Sequence, residues 1–81
     1  MYHSQVKCGR VVSYVVGTDL SNYQNVTCII ISASGSCVLV FGDDSELDLG
    51  TVSANANPLP YYNVKKIKTG STATVLGGLS A

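Results

Sequence analysis

The chain has 81 residues, of which 46% are apolar and 12% charged, with five basic residues set against five acidic ones. That length makes one domain, residues 1–81, and the balance of apolar over charged residues excludes a disordered chain. The zero net charge leaves no overall field for nucleic acid, and no apolar run approaches the ~20 residues needed to cross a bilayer as a helix.

Charged residues are about half as frequent as the ~25% of an average domain, and a chain this short buries only about 60% of its unfolded surface. Both facts favour burial of part of the surface in an oligomer or a larger assembly. Residues 1–9 are expected as a mobile N-terminal arm. The opening "MYHSQVKCGRVVSYVVGT" lacks the apolar core of a signal peptide, and the "NVT" sequon at 25–27 is then a chance match.

No stretch carries a helical period. Apolar residues come in short Val- and Ile-rich runs that fit a pleated surface. "RVVSYVV" at 10–16 predicts a first strand, and "GTDLSNYQ" after it has turn chemistry. "VTCIIIS" at 26–32 predicts a second strand. The short "ASG" connection predicts that "SCVLVF" at 36–41 returns as its hairpin partner. Both runs are apolar at odd and even positions, which implies burial on both faces.

After "GDD", the stretch "ELDLGTV" at 46–52 alternates. Leu47 and Leu49 point one way and Glu46 and Asp48 the other, as in a half-exposed strand. "SANANPLP" follows. Pro58 and Pro60 cannot donate to a ladder, so this segment belongs at a sheet edge or in a crossing between sheets. "YYNVKKIK" at 61–68 and "TATVLGGL" at 72–79 flank "TGS" and predict a second hairpin, with Gly70 at the position that needs positive φ. Val64 and Ile67 have the wrong spacing for one flat face, which a bulge near Lys65 and Lys66 repairs. The sum is an all-β fold, a small antiparallel β-sandwich or barrel of six to seven short strands.

The three cysteines, Cys8, Cys28 and Cys37, are odd in number and show no CxxC spacing. They read first as free thiols of a reducing cytosol, with one disulfide and a leftover thiol as the second reading. Catalytic patterns are missing. "KTGST" reverses the Walker order, and His3 is the sole histidine available to activate a nucleophile. The expectation is a non-enzyme without catalytic residues, metal or cofactor. Asp44, Glu46 and Asp48 offer at most a weak cation site against the plainer reading of a solvated or salt-bridging face.

The charges fall into two clusters, Asp43, Asp44, Glu46 and Asp48 against Lys65, Lys66 and Lys68. They offset one another within a subunit or across an interface, and they are the interface candidates together with Tyr61 and Tyr62. Val38 and Val40 join the tyrosines as apolar candidates. A tyrosine pair also stacks on sugars or bases, although packing is the commoner use.

The C-terminal half resembles small virion proteins of tailed phages and phage-like gene transfer agents, the head-decoration and spike-base proteins. The residues that carry the resemblance are Pro60, Val64, Lys65, Lys66, Ile67, Thr69, Gly70, Ser71, Thr72, Ala73 and Thr74, within 45–79. Ser71 stands where that pattern has Thr, and "SANAN" replaces a shorter glycine-containing turn. Residues 1–25 match nothing in it. The resemblance implies a non-enzymatic virion subunit, assembled in the host cytoplasm, that forms homo-oligomers, binds the major capsid protein and carries a fibre. It implies neither a nucleic acid nor a membrane as partner. A tail, adaptor or fibre-base subunit and a free sugar- or ligand-binding β-module are the alternatives.

Overall fold

The computed structural model describes residues 9–79. The expected N-terminal arm, with His3 and Cys8, lies outside the described residues apart from Gly9. Seven strands form: β1 (Arg10–Ser13), β2 (Val26–Ala33), β3 (Gly35–Phe41), β4 (Glu46–Val52), β5 (Asn55–Leu59), β6 (Val64–Ile67) and β7 (Thr74–Leu79). A 3₁₀ turn at Tyr23–Asn25 precedes β2. The strands make two antiparallel sheets, ordered β1-β7-β2-β5 and β4-β3-β6. Their inner faces meet in one core that includes Ile29, Ile31 and Val75 from the first sheet and Leu39, Val64 and Ile67 from the second.

The two predicted hairpins are corrected by this topology. β2 and β3 do not pair; each is flanked on both sides within its own sheet, β2 between β7 and β5 and β3 between β4 and β6. Two-sided apolar strands suit these central positions. A direct hairpin would place both in one sheet, so the chain arches across the end of the core instead. β6 and β7 likewise belong to different sheets. The true hairpin in this region of the chain is β3–β4, closed by "GDD".

The second arch runs beside β3 before it crosses. Lys68 N–H donates to the Val38 carbonyl at 2.9 Å, and Thr72 and Ala73 N–H both donate to Ser36 O, at 3.0 and 2.9 Å. Ser36 N–H in turn donates to Thr72 Oγ1 at 2.8 Å. The "TGS" turn forms as expected: Ser71 N–H donates to Lys68 O, and Gly70 has φ 101°. A positive φ at the third turn position is the signature of a type II turn. The bulge forms too. Val40 faces Lys66 and Phe41 faces Val64, so Lys65 is the extra residue. Val64 and Ile67 are thereby both fully buried.

Strand β1 stops at Ser13, three residues short of the predicted end, because the chain turns inward at Tyr14. Tyr14 bonds both sheets. Its N–H donates to Val75 O at 3.1 Å and its hydroxyl to Val64 O at 2.6 Å. Its ring lies against Gly77, where an added Cβ would come within 2.8 Å of it. Gly77 therefore leaves room for the Tyr14 ring. Burial pushes the Tyr14 phenol far above its ordinary pKa, so the group stays protonated and donates. Beyond it, Gly17 and Leu20 donate to Ile67 and Lys65 carbonyls at 2.8 Å each, along the edge of β6. Pro58 lies in β5, which is an edge strand, as the missing N–H requires.

The expectation of three free thiols is overturned, and the second reading of the cysteines fits. Cys28 is disulfide-bonded, whereas Cys37 is free and buried. A bridge supports a small domain by restricting its unfolded chain. Burial, followed by the Asp48 charge, raises the Cys37 thiol pKa and keeps it protonated. Alkylation without reductant is therefore expected to leave Cys37 unlabelled in the native protein. In denaturant it should add one label per chain. Intact mass is the readout, and three labels in denaturant would exclude the bridge.

Candidate functional site

The two charge clusters meet within the chain, on the outer face of the β4-β3-β6 sheet. Strand β3 lies between them, and its Val40 faces Glu46 on one side and Lys66 on the other. Directly opposed residues share a sheet face, so an acidic strand and a basic strand flank a central apolar one. Lys68 Nζ donates to Glu46 Oε1 at 2.9 Å, Lys66 Nζ lies 3.9 Å from Asp19, and Lys65 pairs with Asp44. The hydrogen bond that Lys65 donates to Asp44 raises the Lys65 pKa.

Asp43 and Asp48 are used locally. Asp43 Oδ1 accepts from the backbone N–H and hydroxyl of Ser45, at 3.0 and 2.6 Å. The hydroxyl first and the backbone second hold its carboxyl below the usual range. Asp48 Oδ1 accepts from Gly50 N–H at 2.7 Å. Asp44, Glu46 and Asp48 thus face separate partners, and no group of three metal-ligating side chains occurs among the described residues.

The apolar candidates also divide. Val40 is buried under its charged neighbours and Val38 is half-buried. Tyr61 is half-buried and meets Phe41 edge to face, with ring centroids 6.3 Å apart at 71°. Tyr62 alone of the pair is free in solvent, 62% exposed.

Because Lys68 and Glu46 are both about half exposed, their ion pair contributes at most about 1 kcal/mol. Lys68→Glu is expected to lower the melting temperature slightly at low salt and not at high salt. Adding Glu46→Lys should restore it. Thermal melts of the single and double variants across salt concentrations check this; a loss in oligomer mass with unchanged melting would instead place the pair at a subunit interface.

A second region gathers residues from three loops. The turn after β3 closes when Asp44 N–H donates to Phe41 O at 2.8 Å, with Asp44 in the left-handed region at φ 70°. Gly42 N–H donates to Asn63 O at 2.9 Å, and Asn63 N–H donates to Val26 O at 3.1 Å. These two bonds hold Asn63 at φ 58°, a conformation that Asn tolerates better than most residues. The Tyr23 ring covers Gly42, where a Cβ would lie 2.7 Å from Cε1. The result is a cleft of about 620 Å³ lined by Tyr23, Gln24, Phe41, Gly42, Asp43, Ser45, Tyr62 and Asn63. Asp43 and Tyr62 were legible as candidates. Tyr23, Gln24 and Asn63 were not; the nearest signal was a tyrosine between polar residues in "SNYQN".

A third feature is apolar. Val11, Val15, Val16 and Leu47 are exposed, Val15 by 67%. On the outer face of the first sheet Ile30 and Leu76 are direct neighbours and line a groove of about 340 Å³ with Ser32, Ala54 and Asn55.

No family model matches the chain, and neither a curated protein nor a solved structure is significantly similar to it.

Proposed function

We propose that the chain is a non-enzymatic structural subunit of a phage virion, a capsid-decoration or head spike-base protein that binds the capsid surface as an oligomer. The observation that carries this reading is the exposed apolar surface. Large apolar side chains stand in solvent on β1, on the Val15–Val16 crossing and on β4, in a chain with 12% charged residues whose clusters neutralise each other. A contiguous exposed apolar patch marks a surface covered by another protein, and Val11, Val15 and Val16, close together in the chain, are the candidates for one. The resemblance of 45–79 to decoration and spike-base proteins selects the virion among possible assemblies. Its glycine turn and bulged basic strand are scaffold in this reading, and neither supplies a reacting group.

The disulfide at Cys28 suits the extracellular particle, since such bonds persist in oxidising surroundings that include the virion surface. The major capsid protein is the partner proposed for the apolar surface, with a fibre as the cargo. The test is to mix the purified protein with empty capsids from the same phage and sediment them. Stoichiometric capsid occupancy, lost in the double variant Val11→Asp, Val15→Asp, supports the reading. A stable monomer that leaves capsids bare overturns it.

A further inference from the structure

We propose that the cleft between Tyr23 and Tyr62 binds a neutral pyranose sugar, either a free glycoside or a unit of a polysaccharide. This inference stands independently of the virion reading.

A pyranose presents two chemistries at once. Its ring carbons form apolar C–H faces, and its rim carries vicinal hydroxyls that donate and accept. A site for it needs an aromatic face together with amide or carboxylate groups at the edge. The cleft holds both. Tyr62 is 62% exposed, although it neighbours Tyr61, which is packed against Phe41. An aromatic ring left in solvent beside a cavity offers a flat apolar platform at little entropic cost. Tyr23, seated on Gly42, lines the same cleft.

The rim groups are of the required kind. Gln24 and Asn63 each carry an amide that both donates and accepts, and the Asp43 carboxylate accepts. The Asn63 backbone and the Asp43 carboxylate are also held in place. Asn63 is fixed at φ 58° by bonds at its N–H and its carbonyl, and it lines the cleft. Asp43 is fixed by the two bonds that Ser45 makes to Oδ1. A non-glycine residue kept in a sparsely populated conformation is a feature that concentrates at ligand sites. The volume, about 620 Å³, lies within the ~300–1,000 Å³ of small-molecule sites.

The charge selects the ligand class. Among the described residues the lining contains a carboxylate and no Lys or Arg, and Lys65, whose charge reaches Asp43 and Tyr23, is paired with Asp44. A phosphate or an acidic sugar would be repelled there, and nucleotides are disfavoured for the same reason. A neutral sugar incurs no such penalty, and its hydroxyls donate a charge-assisted bond to Asp43.

The experiment is saturation-transfer NMR on the full chain. The probes are the methyl pyranosides of glucose, galactose, mannose and N-acetylglucosamine, and the polymers dextran and mannan. Transfer to the ring protons of at least one probe is expected. A signal from methyl glycosides identifies a site for single or terminal units, and a signal from polymers alone identifies one for internal units. Tyr62→Ala should weaken binding about tenfold or more, which corresponds to about 1.4 kcal/mol. Tyr62→Phe should retain most of it, and Asp43→Asn should weaken it several-fold. Tyr62 is exposed, so unchanged circular dichroism is expected to accompany its variants. No transfer to any probe overturns the proposal, and so does binding that Tyr62→Ala leaves intact.

Discussion

Tyr14→Ala is expected to remove a large part of the stability of this domain, about 3 to 5 kcal/mol, from a total that for small domains is about 5 to 15 kcal/mol. The reason is position rather than area alone. Tyr14 stands where the chain leaves β1 of the first sheet for the edge of β6 in the second. Its ring fills the space over Gly77, and its hydroxyl donates to Val64 O across the core. Truncation empties that space and unties the sheets in one step. Tyr14→Phe separates the two contributions. It keeps the ring and loses one buried donor, which should cost about 1 kcal/mol. Urea unfolding of both variants measures the difference. If Tyr14→Ala costs no more than Tyr14→Phe, the ring contributes nothing and the hydrogen bond alone joins the sheets.

Tyr14 was not singled out in the sequence, and the reason is instructive. "RVVSYVV" reads as one uninterrupted strand, since every residue in it suits a sheet. What ends the strand is a tertiary contact, the seat offered by Gly77 more than sixty positions away. Strand content was legible because it depends on local composition. The bulge at Lys65 was legible too, because Val64 and Ile67 cannot share a face without it. Pairing was not. A three-residue connection with glycine serves a hairpin or an arch equally well, and the choice between them depends on which strands flank β2 and β3. The two-sided apolar pattern of both strands contained that information, since each had to be central in a sheet.

The candidate site divides along the same line. The acidic and basic clusters were visible as runs, and the three-strand order β4-β3-β6 brings them together in one chain. The cleft was visible only in part. Tyr62 and Asp43 stand out as residue types, but Tyr23, Gln24 and Asn63 become neighbours through backbone bonds between Gly42, Asn63 and Val26. Loop-to-loop bonds of that sort leave no periodic trace.

Gly35 is the second position where a small change should have a large effect. It opens β3 at the first arch, where the second arch passes directly over it. A Cβ there would meet Ala73 N at 2.6 Å, Thr72 Oγ1 at 2.6 Å and Thr72 C at 2.7 Å. Two of these are backbone atoms, so no rotamer change relieves the overlap. The backbone that must move is the one whose two N–H groups bond Ser36 O, so relief comes at the expense of the bonds that stack the arches. Overpacking of this kind costs about 1 to 3 kcal/mol, and with the loss of those bonds Gly35→Ala is expected to cost about 2 to 4 kcal/mol. Gly70→Ala is the control. Gly70 has φ 101° but no atom within 4 Å of its Cβ position, so it carries only the backbone penalty, about 1 to 2 kcal/mol. Gly35, at φ 157°, carries a backbone penalty of its own, so thermal unfolding of the two alanine variants side by side measures what close approach adds to it. Equal losses would mean that the arches tolerate a methyl group between them, and that the stacking of 35–36 on 72–73 does not hold the two sheets in register.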